Sequence, residues 1–156
     1  MISAEVTEVQ QVHQTGDLAS LSYLEQTQLP LFPNLLKLRD ALYSSAFRTF
    51  LQQVTGCGPL SGSKQDMSIN SYRAGCHLLN HDDVIGTRRV SYILYMPIED
   101  EREVRWDPLW GGALELYPVR SIGKNHEPEC IPSKILPPSW NQVRLDQSSV
   151  GALVLI

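Results

Sequence analysis

His81 and Asp83 stand two residues apart, just ahead of a strongly strand-like run that ends in Tyr95 and Met96. In extended chain, residues i and i+2 leave the same face. One imidazole and one carboxylate would therefore open onto the same space. They are two of the three donors of the facial set that holds non-haem Fe(II), which leaves sites free for a chelating co-substrate and dioxygen. The same spacing also fits a solvated turn, and a lone pair of this kind does not choose between the two. Two rival donor sets lie nearby. His77 and His81 are four apart, as in helical zinc pairs, and Cys76 adjoins them. Gly75 and the surrounding strand pattern oppose a helix there. His126 with Glu127 and Glu129 is either a substitute ligand source or a polar loop.

The elements that must position these residues follow from periodicity. Leu18, Leu21 and Leu24 after Gly16-Asp17 predict a helix start with Asp17 as N-cap. Beyond Pro30 and Pro33, apolar residues from Leu35 to Val54 predict a helix over about 34–54, stopped by Gly56-Cys57-Gly58-Pro59. The period then falls to two. Asp66–Tyr72 reads as a half-buried strand, and Arg88–Met96 as a second. In the second, Val90, Tyr92, Leu94 and Met96 share one face, and Ser91, Ile93 and Tyr95 the other. Gly111–Tyr117 is a third strand closed by Pro118. A polar loop over 121–128, a short strand over 131–136 and a turn at Pro137–Asn141 follow. Helices first and short strands after predict an α+β chain, with a double-stranded β-helix (jelly roll) buttressed by N-terminal helices.

Composition narrows the function. The chain has 156 residues, one domain's worth, with 42% hydrophobic and 19% charged residues. A net charge of −4 gives no basic surplus for phosphate, so direct nucleic-acid binding is not expected. Three scattered cysteines (Cys57, Cys76, Cys130) form no disulfide framework and fit a reducing compartment. The start of the chain has no signal-peptide pattern, and no apolar run approaches a membrane span. Cytoplasm or nucleus is the expected location.

Several longer matches then carry a resemblance. They are Gln14–Ala19, Leu36–Arg39, Val54–Thr55 through Gly58–Gly62, Cys76–Leu79, the whole block His81–Pro97, Gly111–Leu114 and Pro138–Asn141. Together they resemble the 2-oxoglutarate and Fe(II)-dependent ribosomal prolyl 3-hydroxylases of the fungal termination-and-polyadenylation type, over nearly all of residues 14–142. The resemblance implies that His81 and Asp83 bind Fe(II) and that Tyr95 binds the distal carboxylate of 2-oxoglutarate. It implies hydroxylation of a prolyl residue in a small-subunit ribosomal protein, with dioxygen as co-substrate and L-ascorbate keeping iron reduced. Translation-termination factors are possible partners, and no membrane is involved.

The chain departs from that family after Gln142. The family's distal histidine ligand and the arginine that follows it have no counterpart in the stretch Val143–Ile156. Arg144 comes too early in sequence for the keto-acid arginine and is left unassigned. The expected layout is a lead over 1–16, a partial dioxygenase domain over 17–142 and a divergent tail over 143–156, with the barrel incomplete at its C-terminal end. Two ligands hold a divalent ion weakly, so a poorly stable polypeptide with little or no turnover is expected. A non-catalytic remnant that serves as a ribosome or translation-termination interaction module is the alternative. Among other residues, Asp82 points opposite to His81 and Asp83 and is expected either to support a metal ligand from behind or to face solvent. Arg88 and Arg89 either steer an anionic co-substrate or pair with Asp82. Trp106, Trp110 and Trp140 fit packing or rim roles, Tyr72 and Leu79 a pocket lining, and His13 the polar lead.

Overall fold

The computed structural model describes residues 13–19, 27–73, 75, 76, 78, 81, 86–97, 106–122, 125–147 and 152–155. The chain divides into two compact units, Met1–Phe50 with Ser61–His77 and Leu51–Leu60 with Leu78–Ile156.

In the first unit, strand β1 (His13–Gln14) pairs antiparallel with β2 (Asn70–Ser71). The predicted long strand over 66–72 is mostly extended chain tied by single bonds. Thr15 N–H donates to Ile69 C=O at 3.0 Å, Leu18 N–H to Met67 C=O at 2.9 Å, and Ile69 N–H to Thr15 Oγ1 at 3.0 Å. Leu18, 1% exposed, is the buried anchor. Asp17 Oδ1 accepts from Ala19 N–H (3.0 Å), Met67 N–H (3.3 Å) and Tyr43 Oη–H (3.2 Å). The Ala19 N–H bond is the largest influence that holds the Asp17 carboxyl below its ordinary pKa, against a smaller opposing effect of burial. The helix expected after Asp17 falls mainly on residues outside those described.

The single helix expected over 34–54 is two helices, α1 (Pro33–Leu42) and α2 (Ser45–Thr55). Ser44 makes the break. Its Oγ accepts from Phe47 N–H at 3.1 Å as an N-cap for α2 and donates to Ala41 C=O at 2.7 Å. Arg48 Nη1 donates to Tyr43 C=O at 2.7 Å, satisfying a carbonyl at the end of α1. Apolar spacing runs through the break unchanged, so periodicity alone reads one helix.

The second unit is antiparallel β structure. Strand β3 (Val90–Tyr95) pairs with β7 (Gln142–Gln147) along six residues, from Val90↔Gln147 to Tyr95↔Gln142. Strand β4 (Leu114–Ile122) pairs with β5 (Asn125–Pro128), β6 (Lys134–Leu136) and β8 (Ala152–Leu155). Tyr95 and Leu114 are buried against each other, with Ile93, Leu116 and Leu136 packed around them, so the β3 ladder faces the β4 sheet. No closed barrel forms among the described residues. Strand β7 runs from Gln142 to Gln147, across the boundary expected at residue 142.

Two expectations are corrected here. Pro118 does not close the third strand, which continues to Ile122. It sits where β4 changes partners: pairing with β6 ends at Leu116 and pairing with β5 starts at Val119. A missing N–H is tolerated at such a junction, and Pro118 C=O still accepts from Glu129 N–H at 2.9 Å. The polar loop expected over 121–128 is a hairpin instead, because Arg120, Ser121 and Ile122 pair with Glu127, His126 and Asn125.

Candidate functional site

The site is built from the inner face of β3. Residues 91, 93 and 95 share that face by the two-residue period, and Ile93 and Tyr95 turn onto Leu114. Tyr95 is 9% exposed at the end of the strand. Upstream, His81 is half-buried in a one-residue β-bridge, so its backbone is extended as a two-residue donor pair requires. Asp83, the second predicted ligand, lies outside the described residues, as do His77, Leu79 and Asp82. Among the described residues, no group of three or more His, Cys, Asp or Glu is placed to hold a metal. A neutral imidazole with a carboxylate is nonetheless a donor pair suited to Fe(II).

The remaining candidates fall into structural roles. Trp106 Nε1–H donates to Gly111 C=O at 2.7 Å, and its ring meets Trp110 edge-on at 5.3 Å, closing the turn that leads to β4. Trp110 and Trp140 are more than half exposed, and Tyr72 is 40% exposed. Burial, and then the nearby Cys76 thiol, raises the Tyr72 hydroxyl pKa. Glu129 pairs with Arg120 at 3.4 Å, both well exposed, and Glu127 lies opposite Arg120 in the β4–β5 ladder. These residues line an open surface depression of about 390 Å³ with Pro128, Cys130 and Ile131. An exposed ion pair of this kind contributes about 0–1 kcal/mol and offers no converging donors.

Sequence reasoning passed over the strand beside Tyr95. In the β3–β7 register Gln142 lies opposite Tyr95 and Arg144 opposite Ile93, so both share the inner face. Buried polar atoms on this face have no hydrogen-bond partner among the described residues: Ser91 Oγ, Gln142 Oε1 and Arg144 Nε. Each such group costs about 1–3 kcal/mol unless something satisfies it. The alternation Gln142-Val143-Arg144-Leu145 was the available signal, since period two marks a strand. Which face turned inward depended on a pairing that sequence does not show.

A profile of the 2OG-Fe(II) oxygenase superfamily matches residues 67–153, more than half of the chain, and spans His81, Asp83, Tyr95 and all of β7. The chain belongs to the 2OG-Fe(II) oxygenase superfamily. Two curated relatives agree. The chain is 43% identical over 145 residues to prolyl 3,4-dihydroxylase OGFOD1 of Ostreococcus tauri, covering 93% of this chain and 27% of that protein. It is 32% identical over 111 residues to prolyl 3-hydroxylase OGFOD1 of Mus musculus, covering 71% of this chain and 18% of that protein. The chain thus spans about a quarter or less of the length of these relatives. As a 2OG-Fe(II) oxygenase domain it is of the jelly-roll type, and its described sheets are antiparallel.

Proposed function

We propose that this domain is a 2-oxoglutarate- and Fe(II)-dependent prolyl hydroxylase whose target is a prolyl residue of a small-subunit ribosomal protein, in a process tied to translation termination. The observation that carries the reading is the block His81–Tyr95. It lies within the superfamily match, and its last residue is buried on the inner face of β3. Both curated relatives are named as prolyl hydroxylases. The prolyl target and ascorbate as reductant extend the reading by resemblance, and the cytoplasmic or nuclear setting extends it from the scattered cysteines.

Each residue has a defined task. His81 and Asp83 would hold Fe(II) through an imidazole nitrogen and a carboxylate oxygen. When bound there, the metal would supply the chemistry that links oxidative decarboxylation of 2-oxoglutarate to hydroxylation of the prolyl ring. Tyr95 donates its hydroxyl proton in a hydrogen bond to the far carboxylate of 2-oxoglutarate, fixing how deep the co-substrate sits. Ile93, Leu114 and Leu116 keep water from that end, which strengthens the bond.

The test is product accumulated over a long incubation with a proline-containing peptide from the ribosomal target. Succinate and a one-oxygen mass gain on the peptide are expected, dependent on Fe(II) and absent in Asp83→Ala. If Fe(II) and 2-oxoglutarate bind but neither product forms, the chain is the non-catalytic interaction module.

A further inference from the structure

The chain after α2 carries charges and hydroxyls that neither the fold nor the proposed chemistry uses. No helix or strand forms between Thr55, where α2 ends, and Asn70, where β2 begins, and Ser61–Lys64 are four exposed residues in a row. Ser61 shapes this bend. Its Oγ accepts from Ser63 N–H and Lys64 N–H, both at 3.2 Å, and its C=O accepts from Gln65 Nε2 at 3.2 Å. The Ser63 hydroxyl lies 3.2 Å from Ser61 Oγ and has no other partner among the described residues.

Arg48 of α2 reaches the same bend, and both belong to one compact unit. A methyl group at Gly62 would sit 3.2 Å from Arg48 Nη2 and 3.4 Å from its Cζ, so the guanidinium lies on backbone that only glycine leaves open. Arg48 Nη1 is committed to Tyr43 C=O at 2.7 Å. Its other edge, Nε and Nη2, has no partner among the described residues. That edge is the fork that grips a carboxylate or phosphate with two parallel bonds. The Lys64 ammonium also has no partner among the described residues. Two cations thus flank an exposed serine, and no acidic side chain answers either of them among those residues.

We propose that Ser63 is a phosphorylation site whose phosphate is held by the Arg48 guanidinium and the Lys64 ammonium. A phosphoserine brings a charge of about −1.5 to −2 and three strong acceptor oxygens, which match one bidentate fork and one point charge. Ser63 is favoured over Ser61, whose Oγ already accepts the two N–H groups that hold the bend. Ser63 Oγ attacks the γ-phosphorus of a nucleoside triphosphate. The new Oγ–P bond replaces the bond to the diphosphate, which leaves, and the hydroxyl proton passes to the base of a protein kinase. A kinase that reads an acidic side chain three residues beyond its target finds the exposed Asp66 there. Once modified, the loop is tied to the α1–α2 junction, because Arg48 holds Tyr43 C=O with one nitrogen and the phosphate with the other two. Nothing in this depends on the oxygenase reading.

Two measurements on the full chain test it. In the first, unmodified chain is incubated with an acid-directed protein kinase and ATP. One added phosphate, mapped to Ser63 and absent in Ser63→Ala, is expected. In the second, phosphoserine is introduced at position 63 and its second ionisation is followed by phosphorus NMR. Its pKa should lie about one pH unit below that of a phosphorylated peptide of residues 58–68. Arg48→Met should remove most of the difference, and Arg48→Lys, which keeps charge without the fork, should fall between. Arg39→Met, whose guanidinium is engaged by Asp40, should change nothing. Thermal unfolding checks that Arg48→Met folds, and Arg48→Lys carries the comparison if it does not. Failure of the kinase to modify Ser63 would overturn the modification. A phosphate pKa equal to that of the peptide, or one indifferent to both Arg48 substitutions, would overturn the clamp.

Discussion

Strands β3 and β7 share six residue pairs and face the same sheet, yet they treat that interior in opposite ways. On β3 the inward residues include Ile93 and Tyr95, which pack on Leu114. On β7 they include Gln142 and Arg144, whose Oε1 and Nε are buried with no hydrogen-bond partner among the described residues, while Val143 faces out. Burial of apolar surface explains β3 without any ligand. It does not explain β7. One strand of the ladder buries apolar surface, and its neighbour buries polar atoms beside it.

The largest effect that would break this contrast is on β3. Tyr95→Ala should cost about 3 kcal/mol of stability by opening a cavity against Leu114, read by urea unfolding. Tyr95→Phe, which keeps the ring, should cost less than about 1.5 kcal/mol. If the two variants lose the same amount, Tyr95 is held by its hydroxyl and the two strands do not differ.

A smaller effect of opposite sign is expected on β7. Gln142→Leu replaces a half-buried amide with an apolar side chain of similar size and should stabilise the chain by about 1 kcal/mol. Loss of stability in this variant would mean that Gln142 is already satisfied within the protein.

The smallest effect lies in the first unit and sharpens the contrast by sparing both strands. The Asp17 carboxyl is held below its ordinary pKa, chiefly by the Ala19 N–H. Because the folded value is the lower one, its contribution is fully present above the unfolded pKa and is lost as pH falls through the folded one. Below about pH 4, protection of the Ala19 and Met67 amides against hydrogen exchange, taken relative to the intrinsic rate at each pH, should fall. Fluorescence of Trp106, Trp110 and Trp140, all in the second unit, should not respond to that step. Asp17→Asn should remove the pH dependence at those two amides; its persistence would assign the effect to another group.

These contrasts also mark what the sequence could tell. Strand β3 was legible down to which side chains share a face, because Ser91, Ile93 and Tyr95 alternate with Tyr92 and Leu94. The break at Ser44 was not, since a hydroxyl that caps one helix and ends another leaves the apolar spacing intact. Pro118 read as a terminator because its tolerance depends on a change of strand partner between Leu116 and Val119. The 125–128 strand was hidden by its polar composition, which suits a hairpin as well as a loop. Residues 143–156 read as a divergent tail in sequence, and only the pairing with β3 gives Arg144 its place opposite Ile93.

The most direct test of the site as a whole is titration of Fe(II), and then 2-oxoglutarate, into the full chain under argon. With wild-type protein, 2-oxoglutarate should bind more tightly once Fe(II) is present, and His81→Ala and Asp83→Ala should each abolish that gain. Gain of the same size in both variants would show that iron is bound elsewhere, and the assignment of His81, Asp83 and Tyr95 would fall.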